Sequence, residues 1–283
     1  MPYIQVRGVE HYYKWIKKST SDADKPVIVF VHGWGGSTRY WEGTAEALCD
    51  SYDCLLYDLR GFGRSKLPQE PLELSYEMEE YAEDLAVLLE ALGLNRVYIN
   101  AHSLGASAAC MFVNRYPEKV EQAIFTCSGI FEYEEKSFAA FHKFGGYVVK
   151  FRPQWLLKIP LASTMFMQRF LHRPLPRAIS RTFLEDYLLA DQAAAIGTML
   201  TAVSKYAAEV MPQEFAQLAV PTLLVAGEYD QIIPPALGRN AASLNKKVEY
   251  LEMANTAHFP MLEQPTLYLE EVRKFLSGKF PNT

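Results

Sequence analysis

Ser103 stands where an apolar segment of the chain gives way to helix-forming residues, and its surroundings suit a nucleophile. Residues 97–99 are aromatic or β-branched, as at the end of a buried strand, and helix formers begin at Leu104. Between them, residues 101–105 are Ala-His-Ser-Leu-Gly, so small residues lie two positions before and two positions after the serine. Such spacing suits a sharp strand-to-helix turn, which lifts the hydroxyl above a sheet beside the free N–H groups of a helix N-terminus. The same residues are also compatible with a serine that only caps a helix.

A serine that acts as a nucleophile requires a base to accept its proton and an acid to orient that base. Two candidates follow later in the chain, Asp230 and His258, each in a loop after a short apolar segment. Because loops at the carboxyl ends of parallel strands meet at one edge of a sheet, both side chains could reach Ser103. Glu228 lies in the same loop as Asp230 and remains an alternative acid, and His258 alone could be a capping or buried histidine.

Strand-like and helix-like segments alternate along most of the chain. Short apolar segments typical of strands buried on both faces of a parallel sheet lie at residues 27–31, 54–57, 97–99, 120–127, 222–226 and 248–251. Helical patterns separate these segments, the clearest over residues 75–92, where apolar side chains recur on one face until Gly93 ends the pattern. The alternation predicts an α/β fold with a doubly wound, mostly parallel sheet.

The alternation breaks after residue 129, and no strand-like segment appears again before residue 222. Between these positions the segments are helical in pattern and are interrupted by prolines. We therefore predict three parts: the first part of a core domain over residues 1–129, an inserted helical cap over residues 130–211, and the second part of the core over residues 212–283.

Four motifs, taken together, resemble those of a capped serine α/β-hydrolase of the esterase and carbon–carbon-bond-hydrolase type. The turn at Ser103 is similar to the family's nucleophile motif, usually written Gly-x-Ser-x-Gly, except that Ala101 replaces the first glycine. Residues 32–35 (His-Gly-Trp-Gly) resemble its oxyanion loop, and Asp230 and His258 follow in the family's order of nucleophile, acid and base. The resemblance covers the chain apart from the predicted cap, and it implies the α/β-hydrolase fold.

This resemblance also implies a role for each matching residue. Ser103 would attack the substrate, His258 would accept its proton and later protonate the leaving group, and Asp230 would fix the imidazole tautomer. The backbone N–H groups of Trp34 and Leu104 would stabilise the developing oxyanion. Losing one donor of this kind typically slows the reaction by about 10²–10³-fold.

The reaction that the resemblance implies is hydrolysis of an apolar or lipid-like carboxylic ester through an acyl-enzyme, without a cofactor or a catalytic metal. Trp34, Phe131 and Phe259 are candidates to contact the substrate. Dehalogenases and epoxide hydrolases of this fold use an aspartate as nucleophile, so a serine argues against their chemistry. Two alternatives remain: a carbon–carbon-bond hydrolase of vinylogous diketones, and a non-catalytic ligand-binding protein on the same fold.

Composition limits the remaining classes of function. Hydrophobic residues make up 49% and charged residues 22% of the 283 positions, which is typical of a globular protein. The net charge of −5 gives no overall basic footprint for nucleic acid. The four cysteines show no Cys-x-x-Cys spacing, the N-terminus has no secretory pattern, and no apolar segment of about 18 residues is present. These features predict a cytoplasmic location.

The predicted cap has an unusual distribution of charge. Between residues 136 and 181 there are nine lysines and arginines and no acidic residue, and aromatic side chains lie among them. Basic, aromatic helices are typical of peripheral contact with an anionic membrane. The other interpretation is that the aromatic side chains pack onto the core while the basic residues stay in water or pair with its acidic surface. In both cases, an apolar cap above Ser103 favours a hydrophobic substrate.

Overall fold

The computed structural model describes residues 2–18, 25–70 and 73–278. Within these ranges, the eight strands of one sheet are β1 (Tyr3–Val6), β2 (Val9–Ile16), β3 (Val27–Val31), β4 (Asp53–Tyr57), β5 (Val97–His102), β6 (Val120–Thr126), β7 (Thr222–Gly227) and β8 (Val248–Met253). Their order is β1-β2-β4-β3-β5-β6-β7-β8, with antiparallel pairing of β1 with β2 and of β2 with β4 and parallel pairing elsewhere. The predicted α/β fold with a mostly parallel sheet is confirmed.

Helices cover both faces of this sheet. The α-helices of the described residues are α1 (Glu42–Leu48), α2 (Met78–Ala91), α3 (Leu104–Arg115), α4 (Glu135–Lys150), α5 (Ala162–Gln168), α6 (Arg177–Leu189), α7 (Gln192–Ala202), α8 (Lys205–Gln217), α9 (Pro235–Ser243), α10 (Pro260–Glu263) and α11 (Pro265–Leu276). In β3, Val29 and Val31 belong to the core that contains α2 and α3, whereas Ile28 and Phe30 belong to the core that contains α1 and α11. Successive side chains of a strand point to opposite faces, so a strand between two helical layers is apolar throughout.

The described chain between β6 and β7 is helical and contains no strand. It forms α4 to α8 together with a short 3₁₀ turn at Gln154–Lys158. The limits of the cap stay a prediction, and the predicted boundary between residues 211 and 212 falls inside α8. Met211 and Phe215 of this helix are buried in the core, so α8 joins the cap to the sheet. None of the helices in the described ranges is long and apolar enough to cross a bilayer.

Polar contacts hold the cap against the loops that follow β3 and β4. The Ser37 hydroxyl donates to Asp186 Oδ2 at 2.7 Å, and Arg39 pairs with Asp186 and, at 3.1 Å, with Glu185. Burial raises the pKa of Asp186 although its contacts with Arg39 and Ser37 oppose this shift. The Trp34 indole N–H donates to the Ala195 carbonyl oxygen at 2.9 Å. The loop that the resemblance assigns to the oxyanion is therefore attached to α7 through Trp34, and the residues that follow it are attached to α6.

Candidate active site

Ser103 lies at the sharp turn between β5 and α3. Its backbone angles are φ 53° and ψ −124°, a region that non-glycine residues rarely occupy. The Ser103 N–H donates to the Thr126 carbonyl oxygen of β6 at 2.9 Å, which fixes the turn to the neighbouring strand. At Gly105, a Cβ atom would clash with the His32 carbonyl oxygen, because α3 passes directly against the loop after β3. The close contact with the His32 carbonyl oxygen therefore explains why a small residue is needed at position 105, as predicted.

Ser103, His258 and Asp230 come together at the carboxyl edge of the sheet. His258 Nε2 lies 3.1 Å from Ser103 Oγ, and His258 Nδ1 lies 2.7 Å from Asp230 Oδ2. Because an ionised carboxylate only accepts, Nδ1 carries the proton, and Nε2 is left to accept a proton from the serine. The serine and the histidine are 155 positions apart in the sequence, and the fold brings them and Asp230 into one hydrogen-bonded chain of three side chains.

Asp230 is the carboxylate that contacts the imidazole. Its Oδ1 accepts the N–H groups of Ile232 at 2.8 Å and of Ile233 at 3.0 Å. Burial by itself raises the pKa of the Asp230 carboxyl, but the electrostatic attraction and hydrogen bond of the His258 imidazole, together with these backbone hydrogen bonds, outweigh burial, and the pKa lies below its usual value. Glu228 instead accepts the Asn255 N–H at 2.8 Å in an exposed position. The geometry therefore assigns the contact with the imidazole to Asp230 rather than to Glu228.

A buried network connects the turn around Gly33 to His258. The Gly33 N–H donates to the Tyr40 hydroxyl, which lies 3.0 Å from His102 Nδ1. His102 Nε2 lies 2.7 Å from the His258 carbonyl oxygen and must donate to it, so Nδ1 accepts the tyrosine proton. Burial lowers the pKa of His102 well below its usual value and raises the pKa of Tyr40 well above its usual value, so both stay neutral.

The loop that carries His258 is also fixed by a carboxylate that sequence reasoning missed. Glu263 accepts the Ala257 N–H at 2.8 Å with one oxygen. With its other oxygen it accepts the N–H groups of His172 at 2.7 Å and of Arg173 at 2.8 Å, in the segment after α5. One buried side chain therefore ties the histidine loop to the cap. No sequence motif marks Glu263, since all these partners are backbone groups and those in the cap lie about 90 residues away.

A cavity of about 90 Å³ opens beside Ser103. Its lining residues come from the core and from the cap: Gly33, Trp34, Gly35, Tyr40, His102, Ser103, Phe166, Met167, Phe170, Phe183, Tyr187, Ile232, His258 and Phe259. Trp34 and Phe259 are present as expected. Phe131 is absent from this lining, because the chain after β6 packs along α9, with the Ile130 N–H donating to the Leu237 carbonyl oxygen at 3.3 Å. Its contact with the substrate stays a prediction.

A family model described as "alpha/beta hydrolase fold" matches residues 26–265 of the chain, a range that contains all three side chains of the hydrogen-bonded chain and the whole cap. The chain belongs to this family. The resemblance seen in the four motifs is thereby confirmed at the level of the family, and the chain is a hydrolase of the α/β fold.

Relatives of this α/β-hydrolase carry different names. It is 25% identical to Lipase 1 of Psychrobacter immobilis over 85% of its own length and 73% of that protein. It is 24% identical to Epoxide hydrolase 1 of Caenorhabditis elegans over 97% of its length and 70% of that protein. The solved structure of the enol-lactonase from Burkholderia xenovorans matches with a TM-score of 0.79 at 21% identity, covering 98% of this chain and all of the other. The shared property is the fold, so the substrate has to be argued from the site.

Of the predicted oxyanion donors of this α/β-hydrolase, Leu104 directly follows Ser103 in the chain and Trp34 lines the same cavity as Ser103. Leu104 is the first residue of α3, and the first N–H groups of a helix have no acceptor within the helix. Trp34 follows Gly33 in the loop after β3, and the side chain of Trp34 is directed to α7 by its bond to Ala195. Neither backbone N–H donates to another residue of the described ranges. Their role in stabilising an oxyanion stays a prediction.

The site also holds three side chains of types that bind metals. Ligand atoms of His102, Cys127 and His258 lie within 4.8 Å of one another. Both nitrogens of His258 already face Ser103 and Asp230, and both nitrogens of His102 belong to the buried network. Burial raises the pKa of the Cys127 thiol well above its usual value, whereas a metal requires the thiolate. This set of donors does not fit a metal ion.

Proposed function

We propose that this α/β-hydrolase is a serine hydrolase that cleaves carboxylic esters with an apolar acyl or alcohol group. The observation that carries the proposal is the position of the His258 imidazole, 3.1 Å from Ser103 Oγ and 2.7 Å from Asp230 Oδ2, beside an apolar cavity. Nucleophile, base and orienting acid in hydrogen-bonding order are the requirement for acyl transfer by a serine.

In the first half of the reaction, Ser103 Oγ attacks the ester carbonyl carbon while His258 Nε2 accepts the hydroxyl proton. The tetrahedral oxyanion faces the N–H groups of Trp34 and Leu104. When the intermediate collapses, the bond to the alcohol oxygen breaks, and His258 returns the proton to that oxygen. Asp230 keeps the imidazole in one tautomer and stabilises its cationic form throughout. The alcohol leaves, and the acyl group stays on Ser103 as an ester.

In the second half of the reaction, a water molecule attacks the acyl carbon and gives its proton to His258 Nε2. The acyl–oxygen bond then breaks, Ser103 Oγ takes the proton back, and the carboxylic acid is released. No oxidant, reductant or further group takes part in these steps.

Apolar substrates are favoured by the side chains around Ser103. Four of the lining residues on the cap side are aromatic: Phe166, Phe170, Phe183 and Tyr187. No lysine, arginine, aspartate or glutamate is among the described residues that line the cavity. A charged acyl group would therefore lose its hydration without gaining a partner of opposite charge. A serine at the nucleophile position also supports acyl transfer over the opening of an epoxide, for which enzymes of this fold use an aspartate.

A fluorophosphonate probe, which reacts with an activated serine hydroxyl, tests the proposal. We expect one covalent adduct on the wild-type protein and none on Ser103→Ala. Labelling that survives in Ser103→Ala, or no labelling of the wild type, would contradict the assignment. Turnover of p-nitrophenyl esters alongside a vinylogous diketone then separates ester hydrolysis from cleavage of a carbon–carbon bond, because the two reactions give different products.

A further inference from the structure

Helix α4 has apolar residues on two of its faces. The inner face packs on α7: Phe138 and Val149 are buried, and Gly145 lies so close to Met199 that a Cβ atom would clash with its sulfur. A second group of apolar residues points away from the protein and continues past the end of the helix. We call this group the aromatic face; it consists of Phe141, Phe144, Tyr147, Val148, Phe151 and Trp155.

Most of the aromatic face is in contact with solvent. The exposed fractions are 72% for Phe144, 67% for Phe151, 64% for Tyr147 and 52% for Trp155. Phe138, Phe166 and Phe170 do pack inward, so packing onto the protein accounts for only part of the aromatic content of the cap. Contiguous exposed apolar surface on a protein marks an interaction site.

A row of lysines runs beside the aromatic face. Lys136, Lys143 and Lys150 are seven residues apart, close to two helical turns, so they lie along one side of α4. None of the three forms an ion pair within the described ranges. They belong to the stretch of nine basic and no acidic residues between positions 136 and 181. The occupant of the aromatic face must therefore combine apolar groups with negative charge.

The aromatic face reaches the wall of the cavity. The hydroxyl of Tyr187, which lines the cavity, donates to the Val148 carbonyl oxygen at 2.7 Å. Arg152 donates to the Tyr187 carbonyl oxygen at 2.8 Å. In α5, Met167 faces the cavity while Met165 is exposed on the outside. A molecule that covers the aromatic face therefore also lies next to the cap segments that line the site.

We propose that the aromatic face and its lysine row bind the surface of an anionic lipid bilayer. The helix would lie in the plane of the interface, with the aromatic rings among the upper acyl chains and the lysines at the phosphate groups. A second copy of the chain fits less well, because a two-fold contact through this face would bring the two basic segments together. The proposal goes beyond the proposed hydrolysis and does not depend on it.

Vesicle flotation with Ser103→Ala protein, which cannot hydrolyse the lipids, tests the proposal. The vesicles are pure phosphatidylcholine or equal parts of phosphatidylcholine and phosphatidylglycerol. We expect binding to the mixed vesicles that weakens in about 1 M salt, where the screening length is about 3 Å. Lys136→Gln/Lys143→Gln/Lys150→Gln should weaken binding about 100-fold, since each basic residue near the surface contributes about fivefold. Phe144→Ser/Phe151→Ser should weaken it about tenfold or more.

A matched control is Leu244→Ser/Lys246→Gln, which removes one exposed apolar and one exposed basic side chain after α9. It should bind the mixed vesicles as well as Ser103→Ala protein without further substitutions does. Absence of binding to the mixed vesicles, or equal binding by all variants, would overturn the proposal. The proposal would also be overturned if the protein did not bind vesicles but formed a dimer in size-exclusion chromatography, and Phe144→Ser/Phe151→Ser converted this dimer to a monomer.

A separate measurement uses protein with Ser103 intact. In this background, Phe144→Ser/Phe151→Ser should hydrolyse a water-soluble ester at the wild-type rate. A wild-type protein that lacks this esterase activity would refute the proposed hydrolysis and leave the binding result unaffected.

Discussion

The proposed reactivity of Ser103 depends on which tautomer His258 adopts. With Asp230 at Nδ1, the lone pair of Nε2 faces the serine hydroxyl. An asparagine at position 230 can donate its amide N–H to the ring and stabilise the opposite tautomer. Replacing Asp230 by asparagine would thus keep the shape of the site but remove the proposed activation of Ser103.

We therefore expect Asp230→Asn to lower kcat for a p-nitrophenyl ester by about 10⁴-fold, as the loss of the correct tautomer does in serine proteases. Glu228→Gln is the matched control, because Glu228 accepts the Asn255 N–H and lies beside Tyr229 rather than at the imidazole, so the variant should retain activity within about twofold. Steady-state kinetics of both variants measures the difference. If the two variants lose activity equally, the assignment of the acid is wrong.

Tyr40 is a positioning residue in the buried network. Tyr40→Phe removes the hydroxyl and leaves the Gly33 N–H and His102 Nδ1 without their partner, which costs about 1–3 kcal/mol of folding free energy for each group. We expect kcat to fall about tenfold with KM nearly unchanged, because the His258 loop and the loop after β3 lose their common support.

Tyr116→Phe provides the comparison for Tyr40→Phe. Tyr116 donates its hydroxyl to Glu83 at 2.8 Å and lies at the C-terminal end of α3, the end opposite Ser103. Urea unfolding measures the stability of both variants, and steady-state kinetics measures their activity. A Tyr40→Phe variant that loses stability but keeps the parental kcat would show that the network only supports the fold.

At the scale of elements, α5 forms part of the cavity wall through Phe166 and Met167. Met167 is buried and lines the cavity, whereas Met165 of the same helix is 70% exposed. The volume of about 90 Å³ is small beside the 300–1,000 Å³ of pockets for drug-sized ligands, so the cap in this conformation admits a short acyl group. Chain-length selectivity is therefore expected to follow the side chain at position 167.

Met167→Ala should shift the preferred p-nitrophenyl ester to a longer acyl chain, by about fourfold in kcat/KM for each additional buried methylene. Met165→Ala should keep the parental preference, since its side chain lies outside the cavity. Kinetics with a series of acyl lengths gives both results, and a thermal melt shows that each variant is folded. An unchanged preference in Met167→Ala would mean that the acyl group occupies another part of the cavity.

At the scale of the whole molecule, three buried histidines make stability depend on pH. Burial lowers the pKa values of His11, His32 and His102, so they stay neutral in the fold, while the unfolded chain takes up protons below its ordinary histidine pKa of about 6.5. The contribution of the three neutral histidines to folding stability is therefore complete above about pH 6.5. It is lost as the pH falls toward their lower pKa values in the folded protein. Each histidine contributes up to about 1.4 kcal/mol for each pH unit in this range.

We expect the free energy of unfolding in urea to be lower at about pH 5.5 than at about pH 7.5. His11→Phe should narrow that difference by about a third, since it removes one of the three groups and lies on β2, away from the proposed reaction. The quantity to compare is the difference between the two pH values within each protein. A difference that is the same in the variant and the parent would exclude His11 from the pH dependence.

The sequence by itself determined the strand–helix alternation, the position of the helices between β6 and β7, and the order in which Ser103, Asp230 and His258 follow one another in loops after strands. Each of these properties is local. A strand buried on both faces must be apolar throughout, as in residues 27–31, and the turn at Ser103 requires small neighbours. Turn residues and apolar periodicity are visible in the sequence because the physical constraint acts on adjacent residues.

Only the tertiary structure decided which side chains meet. It distinguished Asp230 from Glu228 through the contact with His258, and it placed Phe131 outside the cavity because the chain after β6 follows α9. It also brought Tyr40 to His102 and left Phe144 in solvent. These outcomes depend on how segments far apart in the chain pack against one another. The type of a residue limits which groups it can bind. Which of these groups it contacts depends on how the sheet, its loops and the cap pack together.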